Sequence, residues 1–234
     1  MLDFVLNYSG VDLIIIVVAY LIAMLFAFSL HEYAHAKVAF NQGDYTPKAK
    51  GRLTLNPFKH IDPVGFLCLI LVGFGWAKPV EVNPLNFKEY RKGFFCVSVA
   101  GVLTNFVIAF FSCGLLCLTQ LIFMQVLVDS VGFVWYLYQF LIWLFSCSIS
   151  VNLCLGIFNL IPVYPLDGFN IVQSFTKEGN KFVNFMARYG NMILISLVII
   201  DTIIESFYGV GIFSTVVNFI EFPFLNFWTT IIFG

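Results

Sequence analysis

Residues 13–30 read LIIIVVAYLIAMLFAFSL, and the chain continues directly into His31-Glu32-Tyr33-Ala34-His35. None of those eighteen residues is charged. As a helix rising about 1.5 Å per residue they span about 27 Å, close to the hydrocarbon thickness of a bilayer. No loop separates this run from His31. Two histidines four apart lie on one helical face, so both imidazoles can reach a single metal ion. Glu32, directly after the first of them, is placed to act on a water beside that metal. An ionisable side chain at the centre of a membrane helix costs roughly 2.5–3.5 kcal/mol on insertion scales. Three such residues within five positions therefore mark a functional site rather than a solvated helix face.

Working outward, the 234 residues are 60% hydrophobic and 11% charged, which identifies a polytopic membrane protein with no sizeable soluble domain. A net charge of −1 without any basic arm argues against nucleic acid as a partner. The six cysteines form no C-x-x-C pair and mostly sit in apolar runs, as small hydrophobes rather than disulfides or thiolate ligands. The first ten residues carry no Lys or Arg, so a cleavable signal peptide is not expected. All twelve basic residues fall between 37 and 92 or between 177 and 188; the alternate connections hold Asp3, Asp12, Asp129, Asp201 and Glu205. By the positive-inside rule the H-E-x-x-H end of the first helix faces the cytoplasm.

The expected fold is all-α and polytopic, one integral-membrane domain over 1–234 with about five to six transmembrane helices. Crossings are expected at about 13–40, 93–118, 133–160, 183–200 and 210–233. The last is interrupted by Glu221 and Pro223 and reads either as one crossing or as two half-helices. Residues 66–75 (FLCLILVGFG) are apolar but too short to cross, hence re-entrant or lying beneath the helices. Residues 76–84 (WAKPVEVNP) read as an extended strand bounded by prolines. On the second crossing Gly93, Val97, Gly101, Asn105, Ala109, Cys113 and Cys117 recur every four residues, a mostly small stripe that allows close helix approach, with Asn105 as interhelical glue. Asn152 and Asn159 share a face of the third crossing and point inward.

A catalytic zinc takes three protein ligands and a water, with carboxylate a frequent third beside two histidines. Pro162 and Pro165 break the third crossing, and Asp167-Gly168 follows at the cytoplasmic end. Asp167 thus emerges at the right depth, whereas His60 and Asp62 lie in a Pro-rich loop and Asp44 and Glu81 read as solvated. The competing role for Asp167 is an N-cap of the helix that follows.

With these residues in place the sequence resembles the site-2 protease family of intramembrane zinc metalloproteases, in its compact bacterial form. The resemblance runs through His31 to His35, GRLTLNP-x-x-HIDP-x-G from Gly51, WAKPVEVNP from Trp76, AG-x-x-x-NF from Ala100 and N-x-x-P-x-x-P-x-DG from Asn159, in the family's order. It implies one Zn²⁺ held by His31, His35 and Asp167, Glu32 as the catalytic carboxylate and Asn159 as a polar active-site residue. It also implies cleavage of peptide bonds in or near transmembrane helices of membrane-protein substrates, in the bacterial inner membrane. Val102 stands where the family commonly has Pro, and Phe169 where it has a second Gly; both bear on packing more than on chemistry. No room is expected for a PDZ or CBS module. Two other readings belong to different classes: a silent helix-binding regulator, against which the intact Glu32 argues, and a metal or proton transporter, for which the other crossings offer no polar path.

Overall fold

The computed structural model describes residues 10–72, 75–124, 132–177 and 179–234. Residues 1–9, including Asp3, and the connection that holds Asp129 lie outside them; Asp12 falls within the first helix. In chain order the helices are α1 (Gly10–Gln42), the single turn α2 (Thr46–Ala49), α3 (Pro63–Val72), α4 (Tyr90–Met124), α5 (Phe133–Asn159), α6 (Asp167–Phe175), α7 (Lys181–Tyr208) and α8 (Ile212–Phe233). Short 3-10 turns occur at Pro57–Lys59 and Pro84–Asn86. Among the described residues five helices, α1, α4, α5, α7 and α8, are long and apolar enough to cross a membrane, and none forms a strand.

Polarity is inverted relative to a water-soluble bundle. Asn105, Asn152, Ser98, Ser112 and Thr119 are buried, whereas Ile195, Ile199, Phe185, Leu103 and Phe219 are exposed. Apolar side chains lose nothing by facing lipid, while amides must find partners inside. Helices α1, α4 and α5 pack mutually around that polar interior. On α1 the buried residues Ala19, Ala23, Ala27, His31, His35 and Ala39 form one every-fourth-residue row. The corresponding row on α4, Gly93 to Cys117, is buried throughout. Small side chains on both rows let the two helices approach closely, and the histidines simply continue the α1 row. Helix α8 docks on α4 and α5 through Val217, Ile220, Phe224 and Trp228 against Ala109, Cys113, Ile149 and Leu153. There the indole of Trp228 donates to the carbonyl of Phe110 at 2.8 Å.

Several expectations change in detail. Residues 212–233 form one helix through Pro223 rather than two half-helices. Residues 66–75 begin inside α3, whose ten residues rise only about 15 Å and do not cross. Residues 76–84 form no strand: Pro84 begins a 3-10 turn, and the pairing is a single antiparallel bridge between Ile61 and Ala77. The reason is chemical. Pro79 and Pro84 have no N–H to give a ladder, and the N–H groups of Lys78, Val80 and Asn83 donate to the His60 carbonyl, Glu32 and Asp44.

Asp44 is also not solvated. It is fully buried and accepts from the backbone N–H and hydroxyl of Thr46, the backbone N–H of Asn83 and the side-chain amide of Asn86. It thereby ties the end of α1 to the far end of the 76–84 segment. Glu81 is exposed as expected, in an ion pair with Lys50.

Candidate metal centre

The site assembles where α1, α4 and the α5–α6 break meet. His31 and His35 sit one turn apart on α1, their rings edge-to-face with centroids 4.6 Å apart. Each ring is anchored to α4 through its Nδ1. His35 Nδ1 lies 2.7 Å from the carbonyl oxygen of Val97, and His31 Nδ1 lies 2.7 Å from Asn105 Oδ1. A backbone carbonyl only accepts, so His35 carries a proton on Nδ1, and in the neutral ring this leaves Nε2 as the atom able to ligate a metal.

Asp167 arrives from the other direction. After Asn159 the chain leaves helical geometry through Pro162 and Pro165 and restarts at Asp167, the first residue of α6. Leu166 is the N-cap and no side chain caps the helix, so the capping role for Asp167 does not hold. Gly168 makes this return possible, because a Cβ there would stand 2.3 Å from the Leu160 carbonyl oxygen and 2.5 Å from that of Ile161. Phe169, in place of a second glycine, is buried and packs edge-on against Tyr164.

Asp167 Oδ2 then lies 3.3 Å from His31 Nε2 and 3.2 Å from His35 Nε2, and the two Nε2 atoms are 3.0 Å apart. All three residues are at most 9% exposed. Asp167 Oδ2 is buried with no hydrogen-bond partner. The two Nε2 atoms and Oδ2 converge on one point, where all three can donate lone pairs to a single cation. Tetrahedral zinc bonds of about 2.0–2.1 Å place ligand atoms about 3.3 Å apart, and His₂-carboxylate is a familiar donor set for catalytic zinc. The residues present therefore fit a zinc ion. Among the described residues this is the one cluster of three or more His, Cys, Asp or Glu side chains close enough to share a metal.

The other expected site residues fall in two places. Glu32 is half-buried beside the pair, and its Oε2 accepts from the backbone N–H of Val80 at 2.7 Å. Asn159, the last residue of α5, donates to the Leu155 carbonyl one turn back, so it binds its own helix rather than a neighbour. Sequence reasoning missed the support from α4. Gly101 lies directly under both imidazoles, where a Cβ would stand 2.5 Å from His35 Nε2 and 2.6 Å from His31 Cε1. Val97, Gly101 and Asn105 were visible as one row; what the row faced was not.

The chain is 41% identical over 178 residues to the protein described as "Putative zinc metalloprotease YwhC" of Bacillus subtilis (strain 168), an alignment covering 75% of this chain and 78% of that relative. It is 32% identical over 118 residues to "Putative zinc metalloprotease Rip2" of Mycolicibacterium smegmatis, covering 47% of this chain and 42% of that protein. No family model and no solved structure matches it.

Proposed function

The chain belongs to the site-2 protease family of zinc metalloproteases, and we propose that it is an intramembrane endopeptidase that cuts membrane-protein substrates within or near their transmembrane helices. It is an integral membrane protein with zinc as its cofactor. The observation that carries the reading is the convergence of His31, His35 and Asp167 at the charged end of an apolar helix long enough to span a bilayer. A site on a helix of that character is one soluble peptides rarely reach, which supports a membrane-embedded substrate. The distribution of Lys and Arg supports a site toward the cytoplasmic face of a bacterial inner membrane, with the whole chain as one membrane-embedded domain.

His31, His35 and Asp167 would hold the zinc, which supplies Lewis-acid polarisation of the scissile carbonyl and brings a water's pKa toward ~7. Glu32 takes the proton of the attacking water and returns it to the leaving amine. The Val80 N–H holds the Glu32 carboxylate in place while leaving its other oxygen for that transfer. Asn159 offers its amide to the substrate carbonyl. A helical peptide bond is hidden, so the substrate unwinds at the cytoplasmic end and pairs along 76–84. Because Lys78, Val80 and Asn83 are already engaged, that pairing uses the N–H groups of the remaining residues.

The test is co-expression with candidate single-pass membrane proteins, comparing wild type with Glu32→Gln. Substrate should accumulate uncut with the variant, at a rate loss of about 10²–10⁴-fold, while one zinc per chain is retained. Equal cleavage by both proteins would refute the assignment, and metal uptake into vesicles without cleavage would replace it with transport.

A further inference from the structure

Behind His31 a line of buried amides crosses from α4 to α5, and it has a direction. It starts at the Ser148 carbonyl, which can only accept. Asn152 Nδ2 donates to that carbonyl at 2.8 Å, which turns Asn152 Oδ1 the other way. Asn105 Nδ2 donates to Asn152 Oδ1 at 3.1 Å, which in turn aims Asn105 Oδ1 at His31 Nδ1, 2.7 Å away. Flipping either amide would set two NH₂ groups or two carbonyl oxygens against each other. Asn105 and Asn152 are 0% and 1% exposed, so water cannot substitute. The Ser112 and Ser148 hydroxyls, 2.9 Å apart, close the outer end.

We propose that Asn105 and Asn152 form an amide relay that fixes the tautomer and ring orientation of His31, making Asn105 a positioning residue for the metal. Interhelical glue would need only the amide pair between α4 and α5. The third bond, from His31, is the shortest of the series and faces the metal ligands. Through it the proton of His31 is confined to Nδ1 and the lone pair of Nε2 is directed at Asp167. His35 receives the same instruction directly from the Val97 carbonyl. One backbone carbonyl of α4 and one of α5 thus set both imidazoles, the second through two side chains.

The inference rests on the zinc reading of the site, and its test separates the two. Zinc affinity is measured by chelator competition on purified protein in detergent, beside ¹⁵N-histidine NMR of the metal-stripped protein, which has three histidines to assign. Asn105→Leu is expected to weaken zinc by about 10–100-fold, the usual effect of losing an outer partner of a ligating histidine. His31 should also shift toward the Nε2–H form while His35 stays as it is. Asn105→Asp keeps the acceptor for His31 but loses the donor to Asn152 Oδ1, so it should hold His31 in the Nδ1–H form and weaken zinc less than Asn105→Leu does. If Asn105→Leu does not fold, Asn152→Ala replaces it and should weaken zinc in the same direction. Wild-type affinity and an unmoved His31 tautomer in whichever of Asn105→Leu and Asn152→Ala folds would overturn the relay alone. A wild-type protein that takes up no zinc would overturn the metal site as well.

Discussion

Replacing Gly101 with alanine adds a single methyl to the row that α4 turns toward α1. Its carbon would stand 2.5 Å from His35 Nε2, 2.6 Å from His31 Cε1 and 2.7 Å from His35 Cε1. Comfortable contact is about 3.5–4.0 Å, so both rings must retreat by about 1 Å, and each is tethered through Nδ1 to the same helix. In the zinc-bound state the rings cannot retreat without leaving the ligand triangle. Overpacking of this kind costs about 1–3 kcal/mol, equivalent to about 5–150-fold in zinc affinity. Without metal the rings are freer to turn aside, and alanine adds about 1 kcal/mol of helix preference over glycine, so the apo-protein should lose little. Gly93→Ala is the control. Its methyl would strike the Phe87 ring at 2.8 Å, away from the imidazoles, and should lower thermal stability without touching zinc affinity. Chelator competition and thermal unfolding of the metal-stripped proteins separate the two effects. Wild-type zinc affinity in Gly101→Ala would refute the placement of α4 against the site.

Asp167→Asn keeps the shape but removes the charge, and should weaken zinc beyond the about 10–100-fold typical of outer partners, measured by metal analysis; α6 should persist by circular dichroism, because the carboxylate does not cap it. Val80→Pro deletes the N–H that holds Glu32, a bond to a charged acceptor of about 1.5–3 kcal/mol. Cleavage should fall by about tenfold or more with zinc content unchanged, and full activity would count against the contact. Asp44→Ala should cost about 2–3 kcal/mol in thermal unfolding at pH 7, since its bonds from Thr46, Asn83 and Asn86 are lost together. Burial alone would raise the Asp44 carboxyl, but those bonds hold it below the ordinary carboxylate value. Its contribution is therefore complete above the unfolded value of about 3.9 and disappears as pH falls through the lower folded one. Wild type should lose its advantage over Asp44→Ala only in strong acid; a loss between pH 7 and 5 would contradict this.

The sequence by itself determined where the long apolar helices lie, because hydropathy is a property of each stretch alone; α1, α4, α5, α7 and α8, the helices long and apolar enough to cross a membrane among the described residues, fall on its apolar runs. It also determined that His31 and His35 share a face, since four residues are about one helical turn, and it singled out Asp167 as the carboxylate emerging from a broken helix. Pro223 misled it only as far as doubt: a proline inside a membrane helix is tolerated when neighbours satisfy the freed carbonyl, and α8 runs straight through. The rotation of α4 about its own axis was beyond it. An every-fourth-residue row reads the same whichever neighbour it meets, so Gly101 passed for a packing residue and Asn105 for glue until α1 was set against them. Asp44 read as solvated because its four donors come from residues both next to it and about forty positions away. The Glu32–Val80 bond likewise joins positions forty-eight apart. Local periodicity fixes which side chains share a face; only the packed helices decide what that face touches, because that choice is made by non-local contacts between groups that must find partners once water is gone.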